Sequence, residues 1–284
     1  MKLIKPSFQI IEPTGYTIDD IYKSIELAGR VSHKSEDKIT ETSAKDFVGR
    51  MLNMKHLATC EFGTVYLHAH SMYDLDIEKY RQNPYSKAVW KNNGHYITTN
   101  YRVLVENNWL DDLKYLCKPT EYHHKRYTVK FILDRAIANE FVRHRKFSFL
   151  QESTRYCRYS SDKFNGELTF IQPCWLNEEV LKLYGPYHTV VRDKSSESIF
   201  IANLNNAERD YIDLVKSGWK AEQARDVLPL SLKTELYMCG FAKDWKKFFE
   251  LRSKKYGVGN PHPQADELAT PLYEEFIKRG YINE

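Results

Sequence analysis

The chain has 284 residues, 42% of them hydrophobic, and its 42 Lys and Arg against 38 Asp and Glu are interspersed along the length. It is long enough to bury roughly 75% of the surface of its extended form without disulfides, and the mixed charge argues against a broad basic face for nucleic acid. Five widely spaced cysteines with no CxxC pair, and no stretch near the ~18 apolar residues of a membrane span, leave one soluble, cytoplasmic domain over residues 1–284, with no membrane partner.

In chain order, Thr17 predicts the N-cap of a helix through Ile18, Ile21, Ile25 and Leu27 that Gly29 ends. A second helix is expected from Thr42 to Met54. In the following CEFGTVYLHAHS, Phe62, Thr64 and Tyr66 alternate with Val65 and Leu67 as in a strand. Residues 81–104 are turn-rich and then extended, and Thr99 to Leu113 is predicted helical, before the Lys118–Pro119 break. The stretch from Tyr127 to Val142 leaves strand and helix both open at its start; a strand over 127–131 leading into a helix over 133–142 is preferred. After a turn at Asn165–Gly166, LTFIQPCW gives a short strand stopped by Pro173, followed by a long helix from Asn203 to Ser217 with Gly218 as terminator. Residues 221–257 read as a short helix broken at Pro229 and a longer helical region ending near Lys255. NPHPQ reads as an irregular hinge, and ADELATPLYEEFIKRG as a final helix closed by Lys278, Arg279 and Gly280. The fold class is mixed α/β, an α+β arrangement with a central sheet and long helices, without the alternation of a doubly wound sheet and without a Rossmann fingerprint.

The chemistry concentrates at 143–156, RHRKFSFLQESTRY, and with Arg158 four arginines fall within sixteen residues. A guanidinium is permanently charged and carries a rigid fork of donors, so Arg143, Arg145, Arg155 and Arg158 suit phosphate oxygens, with Ser153 adding a hydroxyl. The competing reading is a set of solvent-facing arginines that pair with Glu140 and Glu152. Arg225, before the Pro229 break, and Arg252, near a helix end, suit either a ligand or the compensation of a helix dipole. His123, His124, His144, His188 and His262 form no compact metal pattern. His144, between two arginines, suits a ligand bond made while neutral, or else a packed structural role. Cys157 has no histidine base beside it and reads as a wall thiol rather than a nucleophile.

RHRKFSFLQES, with seven residues between Arg145 and Ser153, resembles the signature of the flavin-dependent thymidylate synthase family, and TRY continues it. The resemblance extends through AGRVSHKSE, MKHLATCEFGTV, EFVRHR, ARDVLPLSLKTEL, ELRS and HPQADELA. It implies an α/β homotetramer that binds FAD, dUMP, methylenetetrahydrofolate and NADPH and makes dTMP and tetrahydrofolate. Arg143, His144 and Arg145 match the family's flavin-facing RHR; Ser153 and Arg155 match residues that hold the nucleotide. Arg225 matches an arginine that reaches the nucleotide from another subunit, so Arg143, Ser153 and Arg155 are expected on one chain and Arg225 on a second. Arg252 matches an arginine beside pyrimidine and flavin, and His262 and Gln264 match a block associated with cofactor and interface. The implied catalytic set is Arg252, Gln151 and Ser153, with Ser153 a binding hydroxyl rather than a nucleophile.

This chain departs from that pattern in places. Leu150 and Gln151 stand where many members have Asn–Glu, with Glu152 displaced by one position, and Gln151 can bond a ribose hydroxyl or pyrimidine edge but cannot act as a base. Phe62 stands where a histidine is common, Phe241 and Lys247 where asparagine is common, and nine residues separate Arg252 from His262, more than is familiar. The alternatives are a related flavin-dependent nucleotide modifier with another acceptor and, from a different class, an RNA- or phosphate-binding module.

Overall fold

The computed structural model describes residues 1–71, 74–161, 166–176 and 195–283; His188 and Asn165 lie outside them. A four-stranded antiparallel sheet is its centre, in the order β2 (Ser7–Ile11), β6 (Arg126–Asp134), β9 (Lys233–Phe241), β7 (Ser148–Gln151). A second antiparallel sheet orders β3 (Thr64–Ala69), β5 (Gly94–Asn100) and β4 (Lys87–Lys91), and β1 (Lys2–Ile4) pairs in parallel with β8 (Thr169–Ile171). The mixed α/β class and the central sheet are as expected. No helix among the described residues is long and apolar enough to cross a membrane.

Each face of the central sheet is covered by residues at period two. Val129, Phe131 and Leu133 of β6 and Leu236 and Met238 of β9 pack on Trp245, Phe248 and Phe249 of α8 (Ala242–Arg252) and on Leu268, Leu272 and Phe276 of α9 (Pro263–Lys278). On the other face Tyr237 and Cys239 meet Ala28 of α1 (Ile18–Gly29), Val31 and Phe62. Full burial of each such aromatic or aliphatic side chain contributes about 1.5–3 kcal/mol, so these two layers are what hold the sheet in place.

Several expectations hold at residue level. Thr17 caps α1 in a capping box with Asp20, and Gly218, at φ 97, follows a long helix, α6 (Ser196–Lys216). That helix starts seven residues before Asn203, because Ser195 caps it by accepting from Ser198 N at 3.2 Å. The second helix, α2, covers Ser43–Asn53.

Others are corrected. Thr99 and Asn100 end β5, and only Tyr101–Glu106 form an α-helix, α4; Asn100 caps it and Asn108, at φ 60, stops it. A short α3 (Glu78–Gln82) precedes β4. β6 runs to Asp134, whose carboxylate caps α5 (Arg135–Phe141) by accepting from Ile137 N at 2.8 Å. After the short α7 (Ala221–Ala224), the expected helical region beyond Pro229 is in its first part the strand β9. It sits between β6 and β7 and is buried on both faces, so from Leu236 to Phe241 its sequence is an apolar run without alternation. Pro263 and Gln264 of the NPHPQ segment are the first turn of α9, capped by His262.

Candidate active site

The arginine motif begins where α5 ends. Phe147 N donates to His144 O at 3.0 Å, and the Phe147 ring lies where a side chain on Gly240 would be, 2.5 Å from the Cβ that alanine would add. A glycine in β9 therefore lets the turn at 143–147 lie down on the sheet. Arg143 and Arg145 stay exposed while His144 is half-buried. Arg252 Nε donates to His144 Nε2 at 3.1 Å, so the imidazole proton is on Nδ1, and the other guanidinium nitrogens hold the Glu140 carboxylate and, at 3.0 Å, its carbonyl. Burial first, and then the Arg252 charge, lower the His144 pKa to about 4, which keeps the ring neutral at physiological pH.

Beside this turn lies a cleft of about 670 Å³. Arg143, Arg145 and Lys146 form one edge; Lys87, Lys125, Lys243 and Lys247 come from β4, the start of β6 and α8, and Phe147 and Phe241 supply apolar floor. Asp244 is the only carboxylate that lines it, and none of the seven cations is in an ion pair among the described residues. The guanidinium groups of Arg143 and Arg145 with two aromatic rings fit a ligand that is anionic in one part and flat in another, as FAD is.

A second cluster forms where β7 leaves the sheet. Gln151 Nε2 donates to Thr234 Oγ1 at 3.2 Å, leaving its carbonyl oxygen for a ligand, and Ser153 Oγ accepts from Arg155 N at 3.2 Å. Arg155 is 60% exposed and pairs with Glu222 at 3.0 Å. Arg225 NH1 donates to Thr154 Oγ1 at 3.4 Å within the same chain. Within one chain, Ser153, Arg155 and Arg225 are neighbours, because α7 packs its C-terminal end against the 153–155 turn. No hydrogen bond or ion pair among the described residues joins this cluster to Arg143, His144, Arg145 or Arg252.

Other candidates take structural roles. Arg158 is exposed and donates to Ser160 Oγ at 3.2 Å. Gln264 is buried with its amide on Asp134 Oδ2 at 2.8 Å, tying α9 to the start of α5, and His262 caps α9 with Trp175 edge-on at 5.8 Å. The pairing of Glu140 is with Arg252. Glu152 instead turns inward: fully buried, it accepts from Tyr159 OH at 2.9 Å and Lys233 Nζ at 2.7 Å. Lys233 also reaches Glu235 at 2.7 Å, and Lys34 and Lys130 complete a buried charge network around Glu235, whose pKa is lowered by those lysines against the opposing effect of burial. Cys157 is buried, and burial, followed by Glu152, pushes its thiol up to about 12, consistent with a wall thiol. Sequence reasoning missed Lys87, Lys125 and Lys243, which belong to no motif of the sequence. It also missed the buried network, for which the spacing of Lys233 and Glu235 two apart is a signal once β9 is known to be a strand.

Residues 81–279 match the thymidylate synthase complementing protein family. A flavin-dependent thymidylate synthase from Pyrococcus furiosus is 26% identical over 222 residues, 74% of this chain and 82% of the relative. One from Synechocystis is 28% identical over 131 residues, 44% of this chain, and the match spans only 55% of that relative's length. The solved structure of a UMP/dUMP methylase, PolB from Streptomyces cacaoi, bound with 5-Br dUMP aligns over 98% of this chain and 93% of its own at 17% identity and TM-score 0.45. The family match covers well over half of the chain and runs through Arg143, Ser153, Arg225 and Arg252. The chain therefore belongs to the thymidylate synthase complementing protein family.

Proposed function

We propose that the chain is a flavin-dependent thymidylate synthase that methylates dUMP to dTMP, with methylenetetrahydrofolate as carbon donor, FAD as bound cofactor and NADPH as its reductant. The observation that carries this reading is the presence of two cationic places of different kind on one sheet. The cleft beside Arg143 and Arg145 has the volume and the charge for a dinucleotide, whereas Ser153, Arg155 and Arg225 offer a small, polar, mostly exposed grip suited to one phosphate.

On this reading Arg143, Arg145 and neutral His144 hold the flavin, whose chemistry when bound is hydride delivery to the pyrimidine. Arg252 fixes the His144 tautomer and supplies positive charge at the same edge. Arg155 and Arg225 bind the nucleotide phosphate, Ser153 adds a hydroxyl bond, and the Gln151 carbonyl oxygen accepts from the ribose or the ring edge. Gln151 takes no proton at neutral pH, and Cys157, held as a thiol, forms no bond to the ring.

The two places are tied to different partners within one chain, so a complete site is assembled across subunits of a homotetramer, one contributing the cleft and Arg252, another Ser153, Arg155 and Arg225. The test is anaerobic turnover with FAD, dUMP, methylenetetrahydrofolate and NADPH. Folded, FAD-loaded protein that leaves dUMP unchanged with every reductant and folate tried would overturn the assignment. Mixing Arg155→Ala with Arg143→Ala chains should restore part of the activity that each lacks alone, whereas Arg155→Ala with Arg225→Ala should not.

A further inference from the structure

The cleft carries more positive charge than its Arg143–Arg145 edge accounts for. Lys87 opens β4, where it faces Thr98 of β5, a strand buried at every position. The turn before it is fixed by a 2.8 Å hydrogen bond between the Ser86 and Thr99 hydroxyls. His124 and Lys125 precede β6, and Ala242 N donates to Lys125 O at 3.0 Å, which fastens this corner to the start of α8. Three side chains that line the cleft thus stand on fixed backbone. None of them has a side-chain hydrogen bond or an ion pair among the described residues, and the Lys87 ammonium rests 5.8 Å from the Phe241 ring. Asp244 interacts with Lys146, Lys87 and Lys243, but one carboxylate against the seven cations that line the cleft leaves a surplus of positive charge. Such a surplus held on fixed backbone attracts an arriving anion.

We propose that Lys87, His124 and Lys125 form an anion subsite distinct from the Arg143–Arg145 edge, which takes a phosphate or carboxylate group that a ligand carries beyond the pyrophosphate of a flavin dinucleotide. This rests on the assignment of the Arg143–Arg145 edge to the flavin. The two ammonium groups supply the charge and the His124 imidazole, whose pKa burial and then Lys87 and Lys243 lower, supplies an N–H. Two co-substrate classes bring such a group: a nicotinamide dinucleotide with a third phosphate, and a folate with several glutamate carboxylates.

The experiment compares the FAD-loaded full chain with its Lys87→Ala/Lys125→Ala variant. Calorimetry measures NADPH against NADH, and tetrahydrofolate with three glutamates against one. The wild type should prefer the more charged member of one pair by about tenfold at low salt, and the variant should lose that preference while holding FAD as before. The pair that shows the preference identifies the source of the group. No preference in either pair, or a preference that survives the substitutions, overturns the proposal. So does a parallel loss of FAD, which would make these residues part of the flavin site itself. If the wild type takes up no FAD, the functional reading falls, and tripolyphosphate titration then decides the subsite: binding lost in the variant supports it, and binding unchanged overturns it.

Discussion

Two regions of this molecule hold lysines and arginines in opposite ways. Around the buried Glu152 and Glu235, Lys34, Lys130 and Lys233 are half-buried and each ammonium lies within 3 Å of a carboxylate. Around the cleft the cations are mostly exposed and unpaired. The first arrangement fixes the turn that carries Ser153 and Arg155 to the central strand, because a buried charge left without a partner is costly. The second leaves donors free, and solvated unpaired cations cost the fold little, so their charge is available to a ligand.

The sharpest way to break this contrast is to remove one cation from each region. Lys233→Met takes from buried Glu152 its ion-pair partner, while Glu235 keeps Lys34 and Lys130, and should destabilise the fold by about 3–5 kcal/mol in urea unfolding. Arg143→Ala should change it by less than about 0.5 kcal/mol. Equal losses would remove the distinction. Arg155, on the exposed side of the same turn as Glu152, sharpens the comparison: Arg155→Ala should weaken dUMP binding by about 1.5–3 kcal/mol in calorimetry. Its surface pair with Glu222 should contribute no more than about 0.5 kcal/mol to stability.

His144 joins the cleft to the packed interior and gives a pH test. Its folded pKa of about 4 lies below the ordinary 6.5, so the unfolded chain binds the proton more readily. Its contribution to stability is therefore complete above the ordinary value and is lost as pH falls towards the folded one. In proton NMR titration Arg252→Ala should raise the His144 midpoint only partly, since burial is the larger cause; full return to the ordinary value would make the arginine dominant. The smallest effect belongs to Cys157→Ser, which should preserve turnover, with no nucleotide adduct on the wild-type thiol by intact mass. Lost turnover with dUMP and FAD still bound would revive a cysteine mechanism.

Local physics made much of this protein legible. The capping box at Thr17, the terminator at Gly218 and the clustered arginines at 143–158 are signals carried by neighbouring residues, and the order of the motif blocks led to the family. Three other features belong to residues distant in sequence. Lys233–Phe241 is a strand only because β6 and β7 flank it, and a segment buried on both faces has no periodicity to announce it. Glu152 became a buried ion-paired group, and Arg225 a neighbour of Thr154, because packing of α7 and β9 around the 152–155 turn brought them there. Lys87 reaches the cleft of Arg143 because a second sheet docks beside the first, and Lys125 because the chain enters β6 beside the start of α8. The sequence by itself determined which groups could bind anions, since charge and donor geometry belong to each residue. Only the tertiary structure decided which of those cations are neutralised internally and which remain for a ligand, because pairing depends on distances that the chain sets by folding.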